Sequence, residues 1–137
     1  LTGQLWWWNE QLGLGEVFDS STGFRLPNGA DRSPDASWVS KDRWLALTPA
    51  QRCRFAPLCP DFVAELRSPS DDLVLLQAKM REYMANGARL GWLIDTVTQR
   101  VEIYRPEHPV EICEQPQTLS GEEVLPGFVL RLERIWR

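Results

Sequence analysis

The chain has 137 residues, enough to bury one substantial core and too few for two domains of ordinary size, so a single domain spanning 1–137 is expected. A composition of 43% hydrophobic and 25% charged residues excludes a disordered or collagen-like chain. A net charge of −4 argues against a protein held to nucleic acid by overall electrostatic attraction, although a bound cation would reverse the field locally.

The opening segment LTGQLWWWNEQLG spaces Leu1, Leu5, Trp8 and Leu12 by three and four, one face of a helix, and Gly13 and Gly15 end it. The sequence thus starts inside a helix, and a further N-terminal segment is expected before it. Short β-type runs follow, broken by Asp-Ser-Ser, Pro-Asn-Gly and Ser-Pro, which predicts strands near Gly15–Phe24 and Pro34–Ser40. In KDRWLALTPAQRCRFAPLCP, Thr48 can cap a helical turn that has Pro49 at its first position. The segment reads as a surface excursion returning at Pro60.

Phe62–Leu66 is a buried-strand candidate, and Ser70, Asp71 and Asp72 mark the start of a helix. Leu73, Leu76, Met80, Tyr83 and Met84 give that helix its apolar face, and Asn86-Gly87 stops it. RLGWLID and RVEIYRP are two further strands about a Thr-rich connection, rich in valine, isoleucine and aromatics. The tail supplies one or two more strands and a last helical turn over Leu132–Trp136. Helices interleaved with strands in this order predict an α/β or α+β fold, a mixed sheet flanked by helices.

Cysteine and histidine chemistry is poorly served. Three cysteines cannot all pair, no secretory or membrane-spanning apolar run is present, and a reducing, cytoplasmic setting away from membranes is the expectation. The single histidine, His108, lies in a Pro-rich turn far from Cys53 and Cys59, which disfavours a Cys/His zinc site or a Ser-His-Asp or Cys-His centre.

Acids offer more. Alternation along the Phe62–Leu66 strand turns Phe62, Ala64 and Leu66 to one face and Asp61, Val63, Glu65 and Arg67 to the other. Glu65 and Arg67 then form either a solvated ion pair or part of a site. Lys79 lies at the border of the Leu76, Met80, Tyr83 face, from which it either snorkels into water or reaches over the sheet. Asp35, in Ser-Pro-Asp, is a turn residue or the first acid of a strand. Two carboxylates from neighbouring strands and one ammonium describe a site for Mg²⁺ or Mn²⁺, which takes oxygen ligands and leaves room for water and phosphate. Asp61 and Glu65, four residues apart on one strand, are about 13 Å apart at full extension, too far to share an ion with ~2 Å bonds. Asp35, on another strand, has no such limit.

SPDASWV, CPDFVAELRSPSDDLVLLQAKMREYMANGARLGWLID, VEIYRP and VLPGFVLRLERIW together resemble the Uma family of restriction-endonuclease-like proteins, in the PD-(D/E)XK superfamily, over essentially the whole chain. The resemblance implies a restriction-endonuclease-like fold and divalent-metal-dependent hydrolysis of DNA phosphodiesters, with Asp35 as the acid of the Pro-Asp motif and Glu65 as the acid of the acid-x-lysine motif. It also implies a metal contact from the Leu66 carbonyl. Arg67 stands where the family pattern has lysine; arginine stays protonated and cannot serve as a base. Lys79, on the following helix, resembles the migrated form of that lysine. Asp61, Arg67, Gln77 and Tyr83 are secondary candidates. A homodimer acting on duplex DNA is the further implication. A non-catalytic binding or assembly module with the same fold is the alternative, and a small-molecule phosphodiesterase or phosphatase a third reading.

Overall fold

A computed structural model describes all residues, 1–137. The chain opens with helix α1 (Thr2–Leu12), closed by Gly13 in the left-handed region at φ 62°, where its N–H donates to the carbonyl of Asn9. Leu5 and Trp8 are buried and Leu1 packs beside them, but Leu12, expected on the same face, is 50% exposed. Its angular position is right, but Leu12 is the last residue of the helix, and the buried place near that end goes to Asn9. The Asn9 amide donates to the Gly15 carbonyl and accepts from the Trp38 indole N–H, so a polar residue fastens the helix end to the sheet.

The strand expected over Gly15–Phe24 is two pieces, β1 (Gly15–Asp19) and β2 (Phe24–Arg25). Asp19 separates them by accepting from the Ser21 N–H, an Asx turn that competes with continued pairing. β2 pairs antiparallel with β3 (Asp31–Arg32) in a short ribbon, and β4 (Ala36–Ser40) follows. Helix α2 (Lys41–Leu45) was not legible in the sequence. Helix α3 (Pro49–Arg52) was: Thr48 and Gln51 form a reciprocal capping box with Pro49 at the first turn. The segment between α2 and Pro60 is not merely a surface excursion. Ala56, Leu58 and Cys59 are buried, and the Arg25 N–H donates to the Ala56 carbonyl, tying it to β2.

β5 (Phe62–Arg67), helix α4 (Leu73–Ala85) and β6 (Leu90–Asp95) form a strand–helix–strand unit whose two strands run parallel, from Phe62 opposite Leu90 to Arg67 opposite Asp95. The cap of α4 is Asp72, which accepts from the Val74 N–H, rather than Ser70. Asp71 is used one turn earlier, accepting from the Ser68 N–H and hydroxyl. A Cβ on Gly91 of β6 would sit 2.7 Å from the Met80 methyl, so that glycine lets α4 approach the sheet closely.

β7 (Arg100–Tyr104) and β8 (Glu111–Glu114) extend the sheet, giving the order β1-β4-β5-β6-β7-β8, antiparallel except at β5–β6. The tail holds three strands rather than one or two: after β8 come β9 (Thr118–Ser120) and β10 (Val129–Arg131), a separate antiparallel ribbon. The chain closes in a helical turn with the Trp136 N–H on the Leu132 carbonyl.

Strand alternation divides the core in two. Phe62, Ala64, Trp92 and Ile94 point to the side of Leu5, Trp8 and the β9–β10 ribbon, while Val63 and Leu93 point to the side of Met80 and Tyr83 of α4, Phe24 of β2 and Ala56. The result is a mixed α/β sandwich of three layers. No helix is long and apolar enough to cross a membrane.

Candidate active site

β4 and β5 pair antiparallel up to Ala36 opposite Ala64, and the next rung would set Asp35 opposite Glu65. The acids complete that rung with side chains. The Asp35 N–H donates to Glu65 Oε1 at 3.1 Å, and Asp35 Oδ2 accepts from the Leu66 N–H at 2.8 Å. Pro34 explains why the ladder stops here: it has no N–H to donate and restricts the residue before it. The backbone groups left over turn to carboxylates, which fixes both acids at one end of the strand pair.

Helix α4 adds two groups from one face. Lys79 and Tyr83 are one turn apart; Lys79 Nζ lies 3.4 Å from Glu65 Oε2, and the Tyr83 hydroxyl donates to the same oxygen at 3.0 Å. The Glu65 side chain is only 4% exposed, that of Lys79 37%. Burial pushes the Glu65 carboxyl above its ordinary range, against the opposing pull of Lys79, of the Asp35 N–H and of the Tyr83 hydroxyl. The Tyr83 phenol is raised as well, first by burial and then by the Glu65 charge, so it serves as a hydrogen-bond donor at neutral pH.

Ser33, Asp35, Glu65, Leu66, Ser68, Asp71, Leu76 and Lys79 line a cavity of about 540 Å³. Ser68 and Asp71 were not singled out in the sequence. Ser68 donates to Asp71 through its N–H and hydroxyl, which holds that carboxyl below its ordinary range and gives the mouth of the cavity an anion. Asp71 carried only the helix-start signal, which reads equally well as a cap, and Ser68 carried none.

Other candidates lie outside the cavity lining. Arg67 Nη1 meets Asp95 Oδ2 at 3.0 Å across the parallel β5–β6 rung, while the Arg67 carbonyl accepts from the Thr96 hydroxyl. Arg67 and Glu65 share a strand face, yet each has a different partner. Asp61 is buried and accepts from the Ser40 N–H at 2.8 Å, with Arg43 Nη1 at 3.0 Å, which pins the β4–α2 corner to β5. Gln77 donates to Glu102 of β7, which also accepts from the Tyr104 hydroxyl.

The donor set suits a small hard cation. No cluster of three His, Cys, Asp or Glu side chains is close enough to cage a metal by itself, but Mg²⁺ commonly takes one or two carboxylates and completes its shell with water and phosphate. Asp35 Oδ1 receives no hydrogen bond from the protein. Leu66 turns its N–H toward Asp35, and a strand residue projects its N–H and C=O to the same edge. The Leu66 carbonyl therefore lies along that edge too, past the last rung of β4. Asp35, Glu65 and the Leu66 carbonyl are the residues that would hold a cation.

A mixed sheet with a parallel strand–helix–strand unit, carrying acids at the end of two adjacent strands and a lysine on the helix between, has the architecture of a nuclease-like fold. A family model described as "Putative restriction endonuclease", Uma2, matches residues 1–133, and the chain belongs to that family. Among solved structures, a "putative nuclease belonging to DUF820" from Anabaena variabilis superposes with a TM-score of 0.82, covering 98% of this chain and 75% of the other at 18% identity. At that identity the likeness speaks for the fold. No curated protein matches the sequence.

Proposed function

We propose that the protein is a Mg²⁺- or Mn²⁺-dependent DNA endonuclease that hydrolyses phosphodiester bonds in the cavity between β4, β5 and α4. One observation carries the reading: two carboxylates from adjacent strands, Glu65 accepting from the Asp35 N–H and Asp35 from the Leu66 N–H, with an ammonium 3.4 Å from the Glu65 carboxylate. Family membership supports the same chemistry. A divalent cation held there would neutralise phosphate charge and acidify a coordinated water.

The chain's own groups have separate tasks. The Asp35 N–H and the Tyr83 hydroxyl fix the Glu65 carboxylate in one orientation, so its position does not depend on a ligand. Lys79 keeps over a third of its side chain exposed toward the cavity, where its ammonium balances negative charge as it grows on the attacked phosphate. Arg67 cannot take that role while it is paired with Asp95. Duplex cleavage by one such centre per strand makes a homodimer the working unit, and three unpaired thiols fit a reducing, cytoplasmic compartment.

Nicking of supercoiled plasmid tests the proposal. Wild-type protein should nick with Mg²⁺ or Mn²⁺ and not with EDTA, and Glu65→Ala or Lys79→Ala should lower the rate by roughly a hundredfold or more. Equal rates in all three proteins would remove this site; no nicking by any of them would favour a non-catalytic binding module. Light scattering at high concentration tests the dimer, which a persistent monomer would refute.

A further inference from the structure

A second cleft lies on the α4 side of the sheet, between β2 and the segment that follows α3. It is a cavity of about 570 Å³ lined by Arg25, Ala50, Gln51, Arg54, Phe55 and Pro57. No acid lines it. Phe55 is 45% exposed, unusual for a phenylalanine that is nonetheless firmly seated. Its ring lies against the backbone of Gly23: a Cβ placed there would fall 2.1 Å from the ring, so only glycine permits the contact. The ring is therefore a braced shelf, held on one side by the Gly23 backbone and close to half open to solvent.

Two guanidinium groups flank the shelf. Arg54 makes no hydrogen bond or ion pair within the protein, and Arg25, bidentate to Asp31 through Nε and Nη2, keeps Nη1 free. Charge along the chain is segregated in the same sense. Residues 41–59 hold four basic residues against one acid, while the rest of the chain holds eleven against eighteen. A protein acidic overall thus has a locally basic segment next to an exposed aromatic ring.

We propose that this cleft is a second nucleic-acid contact, where an unpaired base stacks on Phe55 and the adjoining phosphates meet Arg25 and Arg54. The proposal rests on the nuclease reading of the Asp35–Glu65 cavity and gives that reading a substrate feature, a single-stranded segment beside the cut. An aromatic platform between cations is the recognition mode of single strands, since every base offers a π-face and every nucleotide a charge. Chain distance also fits. Asp31, the partner of Arg25, is four residues from Asp35, at most about 13 Å of extended chain, the rise of about four nucleotides at ~3.4 Å each.

Fluorescence anisotropy in EDTA, with a labelled oligo-dT and a hairpin duplex of equal length, separates binding from cleavage. Oligo-dT should bind more tightly than the duplex, and Phe55→Ala and Arg54→Glu should each weaken it about five- to hundredfold. Gly23→Ala, which displaces the ring without removing it, should weaken it in the same direction. Arg134→Glu, an identical charge change at an exposed position near the C-terminus, should have little effect. Equal binding by wild type, Phe55→Ala and Arg54→Glu would overturn the proposal. So would losses matched by Arg134→Glu, which would mark a diffuse charge effect, or a preference for polyglutamate over oligo-dT, which would mark an acidic protein partner. If plasmid nicking succeeds while this pattern fails, the cleft is refuted and the nuclease centre stands. If the pattern holds while nicking fails, the reverse is true.

Discussion

At the scale of single residues, the two Pro-Asp sites of this chain have opposite fates. Asp35 follows Pro34 and faces a cavity, while Asp61 follows Pro60 and is sealed against Ser40 and Arg43. Sequence spacing separated them on one ground only, that Asp61 is too far along its strand from Glu65 to share an ion. It could not reveal what Asp61 does, because its ionic partner, Arg43, comes from a helix, α2, that no pattern announced. The same holds for Arg67, whose partner Asp95 is 28 residues away. Lys79 was easier to read. Helical periodicity fixes its bearing relative to Tyr83, and strand parity fixes the bearing of Glu65, so two local rules suffice to aim the side chains at each other. Asp61→Ala should therefore leave the Ser40 N–H without its acceptor and cost about 1–3 kcal/mol of stability in urea, while nicking per folded molecule stays at the wild-type level. A loss of nicking comparable to that of Glu65→Ala, with stability intact, would make Asp61 part of the reacting centre.

At the scale of elements, the central β5–α4–β6 unit was the most legible part of the chain. Its strands are mostly apolar, interrupted only by Glu65 and Arg67 in β5 and ended by Asp95 in β6, and its helix carries an apolar stripe with a stop signal. The small β2–β3 ribbon was not, because two-residue strands carry no periodicity. Its position depends instead on contacts distant in sequence, above all Arg32, whose Nε meets Glu82 Oε1 on α4 at 2.6 Å, with Asn28 donating to the other oxygen. That tether matters because β3 leads directly into Ser33-Pro34-Asp35. The Arg32 bond, and then Asn28, hold the Glu82 carboxyl below its ordinary range. A carboxylate whose folded pKa is depressed adds stability above its unfolded value near 4.3, and that stability is lost as pH falls through the folded value. Urea unfolding of wild type against Glu82→Gln should show a gap of about 0.5–1 kcal/mol at pH 7, closing as the pH is lowered below about 4. A gap that stays constant down to pH 3 would show that the tether works by shape rather than charge.

For the whole molecule, the question is how a chain of net charge −4 meets a polyanion at all. The net charge gives no overall attraction, so contact must come from places where charge is locally inverted: a cation between Asp35 and Glu65, and the guanidinium pair beside Phe55. These two sources respond differently to salt. Each phosphate neutralised by a protein cation releases counterions and steepens the fall of log Kobs with log[salt], by about 0.7 per contact on a single strand. In EDTA only the arginines contribute. The slope for oligo-dT should then be shallow, close to −1.4 if Arg25 and Arg54 supply the two contacts, and Arg54→Ala should flatten it by about 0.7. Adding Ca²⁺, which fills hard oxygen sites without needing to support hydrolysis, should raise duplex affinity through the other site and leave the Arg54→Ala difference on oligo-dT unchanged. A wild-type slope several times steeper would mean that many dispersed basic side chains hold the nucleic acid, and that its position on the surface is not set by the Phe55 cleft.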